Sequence, residues 1–301
     1  MKEAWIIANP GSGNNQGDAI ASELKANLQD AFDEITVRYT ERAHDAEKFA
    51  QEAAKKQIDS LFVVGGDGTI HEAINGLGEE AYRPTVGFLP GGTNNTFAKL
   101  FNMPMDIDEA IASINLDHTA RLEIGKCNEH YFFYYASFGK LIEATTDTSS
   151  EEKSKWGPLA YIHSIIQALP HDETQSIVVR TDNGDYEGDA SLVYAMLTNK
   201  VGNLSVGKDE GSLNDGQMHL VIVKNEMPST KLSALFDLAI GNLENNEDVE
   251  IITCKEAVIE SADGKETEID LDGNVEEKLP ITLTLLPDHI DYYLPKQAEE
   301  L

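Results

Sequence analysis

The stretch Ile58 to Leu77, IDSLFVVGGDGTIHEAINGL, constrains the fold more than any other part of the chain. Leu61-Phe62-Val63-Val64 is apolar without alternation, the pattern of a strand buried on both faces of a parallel sheet. Gly65, Gly66 and Gly68 then let the backbone turn tightly and come close to a ligand. Ile70, Ala73, Ile74 and Leu77 recur at helical spacing, so a helix packs back onto the sheet. The N–H groups at the start of such a helix lack intrahelical acceptors and favour an anion. Asp67 lies among them, and a carboxylate there repels a phosphate unless Mg²⁺ or a water network stands between the two. The loop therefore points to phosphoryl chemistry on a nucleotide, although a glycine turn of this kind also closes ordinary βα units.

The surrounding sequence repeats the strand-turn-helix theme. Trp5 to Ala8 leads into Asn9-Pro10-Gly11-Ser12-Gly13 and a helical pattern from Ala19 to Leu28; Glu34 to Val37 is a second strand and Ala43 to Lys56 a second helix. A further strand, Thr85 to Leu89, ends at Pro90-Gly91-Gly92-Thr93-Asn94-Asn95. Three glycine-bearing turns thus follow three strands of an open α/β sheet, where loops at the carboxyl ends of the strands share a ligand crevice. After about residue 120 the texture changes to short strands: Ala120 to Lys126, His130 to Ser137, Ser176 to Thr181, Ala190 to Thr198, Gln217 to Val223, Val249 to Thr253, Ala257 to Ser261 and Ile281 to Leu286. Turns such as Asp182-Asn183-Gly184 and Ala262-Asp263-Gly264 separate them, which suits an antiparallel sandwich or barrel. The chain of 301 residues then holds an α/β domain over 1–120, to which 287–301 returns, and an all-β domain over 121–286.

Composition excludes several partners. Acidic residues outnumber basic ones 53 to 23, a formal charge of −30, and such a surface repels a nucleic-acid backbone and gains nothing from anionic lipid headgroups. No stretch approaches the roughly 20 apolar residues of a membrane span, and the N-terminus MKEAWIIANP lacks a signal peptide's apolar region, so a soluble cytoplasmic protein is expected. Cys127 and Cys254 stand far apart without a CxxC partner and imply neither a zinc site nor a disulfide framework. Gly202 to Lys208 matches the start of a P-loop, but Asp209 replaces the required Ser or Thr and no apolar helix follows; it reads as a loop.

The ordered set NPGSG (9–13), GGDGTIHE (65–72), PGGTNNTFA (90–98), WGPLAY (156–161), NDGQM (214–218) and DLDGN (270–274) resembles the diacylglycerol kinase catalytic domain family, which includes sphingosine and ceramide kinases and bacterial soluble lipid kinases. The resemblance implies an ATP-binding α/β domain and a β-sandwich domain, with ATP and lipid meeting in the cleft between them. It implies that Asn9, Ser12, Gly66, Thr69, Gly92, Thr93 and Asn95 border the nucleotide and that Asp67 helps hold the Mg²⁺ bridging its phosphates. By the same resemblance Asp272 is the general base that accepts the lipid hydroxyl's proton, and Asp215 with the carbonyls of Ser212 and Gln217 forms a structural Mg²⁺ site. Without it, Asp272 reads as a turn residue beside Gly273 and Asp215 as part of a capped hairpin turn. Glu72, one turn into its helix, would orient a cation or water, or serve as a helix-surface acid; His71 reads as structural.

Two positions depart from the family pattern. Thr96 stands where PxGTxNDFA has Asp, and Asn274 where DGE has Glu, so both replace acids near the expected metal and base. These changes keep open a non-catalytic regulator that binds lipid or nucleotide. NAD kinase, which shares GGDGT, is the other alternative, although PGGTNNTFA and WGPLAY favour the lipid branch. Lys155 to Leu169 aligns Trp156, Leu159, Ile162, Ile166 and Leu169 on one helical side behind Lys153 and Lys155. That stripe suits either core packing or transient peripheral docking at the inner membrane surface, where a lipid substrate is presented. An edge strand of the second domain would allow a homodimer.

Overall fold

The computed structural model of the chain describes residues 1–93, 95–138, 174–198, 200–201, 204–205, 214–224 and 249–296. It divides into two compact units, Met1–Ile124 with Tyr131–Phe133 and Leu286–Leu301, and Gly125–His130 with Tyr134–Leu285. The excursion of Tyr131–Phe133 into the first unit has no counterpart in the sequence reading.

The first unit runs β1 (Glu3–Ala8), α1 (Ser12–Asn15), α2 (Gly17–Leu28), β2 (Glu34–Tyr39), α3 (Asp45–Lys55), β3 (Ser60–Gly65), α4 (Asp67–Gly78), β4 (Thr85–Pro90), α5 (Thr96–Leu100), α6 (Ile107–Ser113) and β5 (Ile114–Cys127), followed by β6 (His130–Phe132). Its strands pair in parallel in the order β2-β1-β3-β4. Leu61, Phe62, Val63 and Val64 of β3 are fully buried, as a central parallel strand covered on both faces requires. Because the chain passes from β1 outward to β2 and then back past β1 to β3, the strand order reverses between β1 and β3. Ligands of open α/β sheets bind at such a switch point, outside the carboxyl ends of the strands.

Among the described residues the second unit is antiparallel. It contains β7 (Tyr135–Phe138), β8 (Gln175–Thr181), β9 (Gly184–Met196), the short pair β10 (Lys200–Val201) and β11 (Leu204–Ser205), β12 (Met218–Lys224), β13 (Val249–Cys254), β14 (Glu256–Ser261), β15 (Glu268–Leu271), β16 (Asn274–Lys278) and the start of β17 (Ile281–Pro295). Strand β9 joins two sets of strands: Gly184–Ala190 pairs with β8, and Leu192–Met196 pairs with β12, with a register shift at Val223/Lys224 where the strand bends. One set continues β8-β14-β17, and the other holds β16-β15-β7 on one side of β9 and β12-β13 on its other side. This is the β-sandwich expected for the second half. Strand β17 serves both units: Ile281–Thr284 lies antiparallel to β14, and Tyr292 lies parallel beside Val86 of β4.

The sequence reading missed α1, α5, α6, β15 and β16, and it gave as a loop the segment in which β11 pairs with β10. Helix α5 has five residues, too few to display a 3.6-residue period. In β15 the inward Ile269 and Leu271 alternate with Glu268 and Asp270, and the acids hide the strand. The expected helix over 155–169 and most of the P-loop-like segment lie outside the described residues. Cys127 and Cys254 are both buried and in no disulfide, and burial pushes the Cys254 thiol up to about 12. No helix among the described residues is long and apolar enough to cross a membrane.

Candidate active site

Three loops meet at the carboxyl ends of β1, β3 and β4, and the backbone ties them together. The Asn9 N–H donates to the Val64 carbonyl (3.0 Å), the Gly13 N–H to the Gly91 carbonyl (2.7 Å) and the Gly91 N–H to the Gly65 carbonyl (2.9 Å). Gly66 is extended (φ −85°, ψ −178°), a conformation open to any residue, so it is not glycine for the sake of the turn. Mutual approach is the reason: a Cβ on Gly92 would lie 2.6 Å from the Gly66 Cα, and one on Gly66 would lie 3.0 Å from the Gly92 Cα. A Cβ on Gly68 would meet nothing within 4 Å, which leaves the mouth of the loop open at the helix start.

The side chains expected to border a nucleotide shape these loops. Asn9 Oδ1 accepts the Gly11 N–H (2.9 Å), and the buried Ser12 donates its hydroxyl to the Asn9 carbonyl (2.6 Å). Asn95, in the left-handed region at φ 50°, closes a ring on Gly92: its Oδ1 accepts the Gly92 N–H (2.7 Å) and its Nδ2 donates to the Gly92 carbonyl (2.9 Å). Gly92 and Thr93 are exposed, and Thr69 is half-buried with its N–H on the Gly66 carbonyl (3.0 Å).

Asp67 is the first residue of α4 and half-buried; its Oδ1 accepts the Phe97 N–H (3.1 Å) from α5. The ring of Phe97 is held in turn by Phe133 (4.4 Å between centroids), Phe88 (4.5 Å) and Phe101 (4.8 Å), so α5 is a firm backstop. One carboxylate oxygen of Asp67 is thereby oriented, and none of the described residues bonds the other. That donor set fits a cation contact beside the helix start.

Glu72 bonds the backbone of a neighbouring helix. Its Oε2 accepts the Ala46 N–H (3.2 Å) at the start of α3, beside Asp45, whose Oδ2 accepts the N–H groups of Glu41 (2.9 Å) and Arg42 (3.0 Å). The backbone N–H of Glu41, chief among these bonds, holds the Asp45 carboxyl below its usual range. Glu72 thus caps a neighbouring helix. Replacement Glu72→Gln, which keeps an acceptor, should leave turnover within about twofold, whereas Glu72→Ala should lower unfolding free energy by about 1 kcal/mol; chemical denaturation and steady-state rates measure both. His71 is buried, with its ring 6.5 Å from that of Phe133.

In the second unit, Asp272 and Gly273 form the two-residue turn between β15 and β16, with φ of 53° and 95° as a type I′ hairpin demands. Asp272 Oδ1 accepts two backbone N–H groups, from Tyr134 (3.0 Å) and Tyr135 (2.9 Å), and the Gly273 N–H donates to Asp270 Oδ1 (2.8 Å). The half-buried carboxylate is therefore aimed, by residues the motif DLDGN does not contain. Sequence reasoning missed Tyr134 and Tyr135, which stand more than a hundred residues earlier in the chain.

Asp215 and Gln217 come together, with the Gln217 N–H on Asp215 Oδ1 (2.9 Å), while Ser212 lies outside the described residues. Asp215 Oδ2 pairs with His219 Nε2 (2.8 Å), a partner that sequence reasoning also missed. Each carboxylate oxygen of Asp215 thus has one partner, and of the expected ligand set the described residues bring together Asp215 and Gln217. Among the described residues no group of three or more His, Cys, Asp or Glu is placed to hold a metal ion.

Comparison with known proteins matches residues 3–127 to the diacylglycerol kinase catalytic domain and residues 138–293 to the YegS C-terminal NAD kinase beta sandwich-like domain. A candidate lipid kinase of Streptococcus pneumoniae is 35% identical over 97% of this chain and 98% of its own. A diacylglycerol kinase of Staphylococcus epidermidis is 32% identical over 100% of this chain and 95% of its own. Among solved structures, a candidate diacylglycerol kinase of Bacillus anthracis superposes with a TM-score of 0.80 at 27% identity, covering 99% of this chain and 98% of that one.

Proposed function

The chain belongs to the diacylglycerol kinase catalytic domain family, and from that premise we propose that it is a lipid kinase that transfers the γ-phosphate of Mg-ATP to a lipid hydroxyl, converting diacylglycerol to phosphatidate. The observation that carries the reading is the interlocked loop set at the β1/β3 switch point, an anion-binding backbone with one oriented carboxylate, Asp67, at the helix start. Phosphoryl transfer asks little covalent chemistry of a protein; positioning and charge neutralisation supply most of the rate. Mg²⁺, when bound, would neutralise charge on the β- and γ-phosphates. The exposed backbone of Gly92 and Thr93 and the open face at Gly68 would receive the phosphates, and Asp67 Oδ2 would contact the cation.

Asp272 supplies the acceptor for the proton. Two backbone N–H groups hold the carboxylate in place, and it takes the lipid hydroxyl's proton as the new O–P bond forms and ADP departs. A diacylglycerol acceptor resides in a bilayer, which makes transient contact with the membrane surface part of the reading. Thr96 and Asn274, in place of two acids, favour the competing reading of a binder without turnover. Transfer of labelled γ-phosphate from Mg-ATP into organic-extractable lipid, with diacylglycerol in mixed micelles, separates the two. Labelled phosphatidate is the expected product; ATP binding with no product from diacylglycerol, sphingosine or other lipid alcohols would overturn the kinase.

A further inference from the structure

We propose that Tyr135 and Tyr194 are positioning residues for Asp272, and that the stack of their rings sets the direction of its carboxylate; the inference rests on the reading of Asp272 as the proton acceptor. Tyr135 holds Asp272 from two sides through its backbone. Its N–H donates to Asp272 Oδ1 (2.9 Å) and its carbonyl accepts the Asp272 N–H (3.1 Å). Among the described residues strand β15 meets β7 at two register pairs, Asp270 with Ser137 and Leu271 with Ala136. The direction of the hairpin turn therefore follows the first residue of β7, which is Tyr135.

What fixes that residue is its ring. The Tyr135 and Tyr194 rings stack at 4.7 Å with 23° between planes, and Tyr134 meets Tyr135 edge-on at 5.6 Å. Register places Tyr194 opposite Ser137 and Met196 opposite Tyr135, so the two tyrosines are diagonal neighbours on one face of β7 and β9. They pack on the buried Met196, Val221 and Val249, with Ile251 beside them. Stacked aromatic pairs hold a geometry that burial alone does not. A displacement of about 1 Å at a catalytic group can cost about a hundredfold in rate, so partial loosening of the stack should cost about tenfold.

The test is a set of substitutions at Tyr194 in the full chain, assayed with Mg-ATP and diacylglycerol. Tyr194→Leu, which keeps apolar volume and loses the ring, should lower kcat about tenfold with the KM for ATP unchanged, and Tyr194→Phe should stay within twofold of the parent. Tyr194→Met is carried alongside as a second ringless variant in case the first does not fold. In an Asp272→Asn background, Tyr194→Leu should cause no further loss. Parental kcat in the folded ringless variants, an equal loss in Tyr194→Phe, or an undiminished loss in the Asp272→Asn background would each overturn the positioning role while leaving the base intact. Full activity of Asp272→Asn itself would instead overturn the base, and this inference with it.

Discussion

Asp272→Asn should lower kcat by a factor of about 10² to 10⁴, the usual contribution of a positioned proton acceptor, while the KM for ATP and the melting temperature stay near those of the parent. The reason lies in how the side chain is held. Oδ1 accepts the N–H groups of Tyr134 and Tyr135, and an asparagine carbonyl accepts the same pair. Asparagine, like aspartate, also tolerates the left-handed φ of 53° at this position. The substitution therefore removes one capability, proton acceptance by the carboxylate, and preserves the turn. Asp272→Ala is a coarser change: it strands two N–H groups and strains the turn, so its loss of rate would come with a loss of stability of about 1–3 kcal/mol. A measured kcat for Asp272→Asn within threefold of the parent would remove Asp272 from the chemistry.

Gly76→Ala should destabilise the first unit by about 3 kcal/mol, the upper range for overpacking a close-packed contact. Helix propensity alone argues the opposite sign, since alanine for glycine inside a helix is worth about 1 kcal/mol in favour. Packing wins because a Cβ on Gly76 of α4 would lie 2.1 Å from the Glu47 carbonyl oxygen of α3 and 2.9 Å from its carbon. The neighbour is backbone, so relief requires the two helices to separate. Helix α4 begins at Asp67, so separation would also move the nucleotide loop, and affinity for ATP should fall together with stability. Urea unfolding followed by circular dichroism measures the first effect and ATP titration the second; an unchanged or higher midpoint would show that the helices part without cost.

Much of the first unit is legible because its signals are local. A strand buried on both faces must be apolar at every position, so β3 announces itself in Leu61 to Val64, and the helix after it shows a clean 3.6-residue period. The glycine pattern is legible too, but its reason is not: Gly66 and Gly92 are separated by 25 intervening residues and explain each other only once β3 and β4 lie side by side. Glu72 shows the same limit, since its choice between cation and helix cap depends on where α3 lies relative to α4.

Asp272 entered through the family resemblance; sequence by itself determined the α/β and all-β halves, the three loops at strand ends and the candidate residue Asp67. These follow from hydrophobic periodicity and from residue types with narrow chemical uses, both properties of neighbours along the chain. Tertiary structure alone decided that β15 and β16 pair across the Asp272 turn, that Tyr134 and Tyr135 aim the carboxylate, and that His219 pairs with Asp215. Hydrogen bonds and packing depend on distances through space, and folding brings Tyr135 to Asp272 across more than a hundred residues of chain.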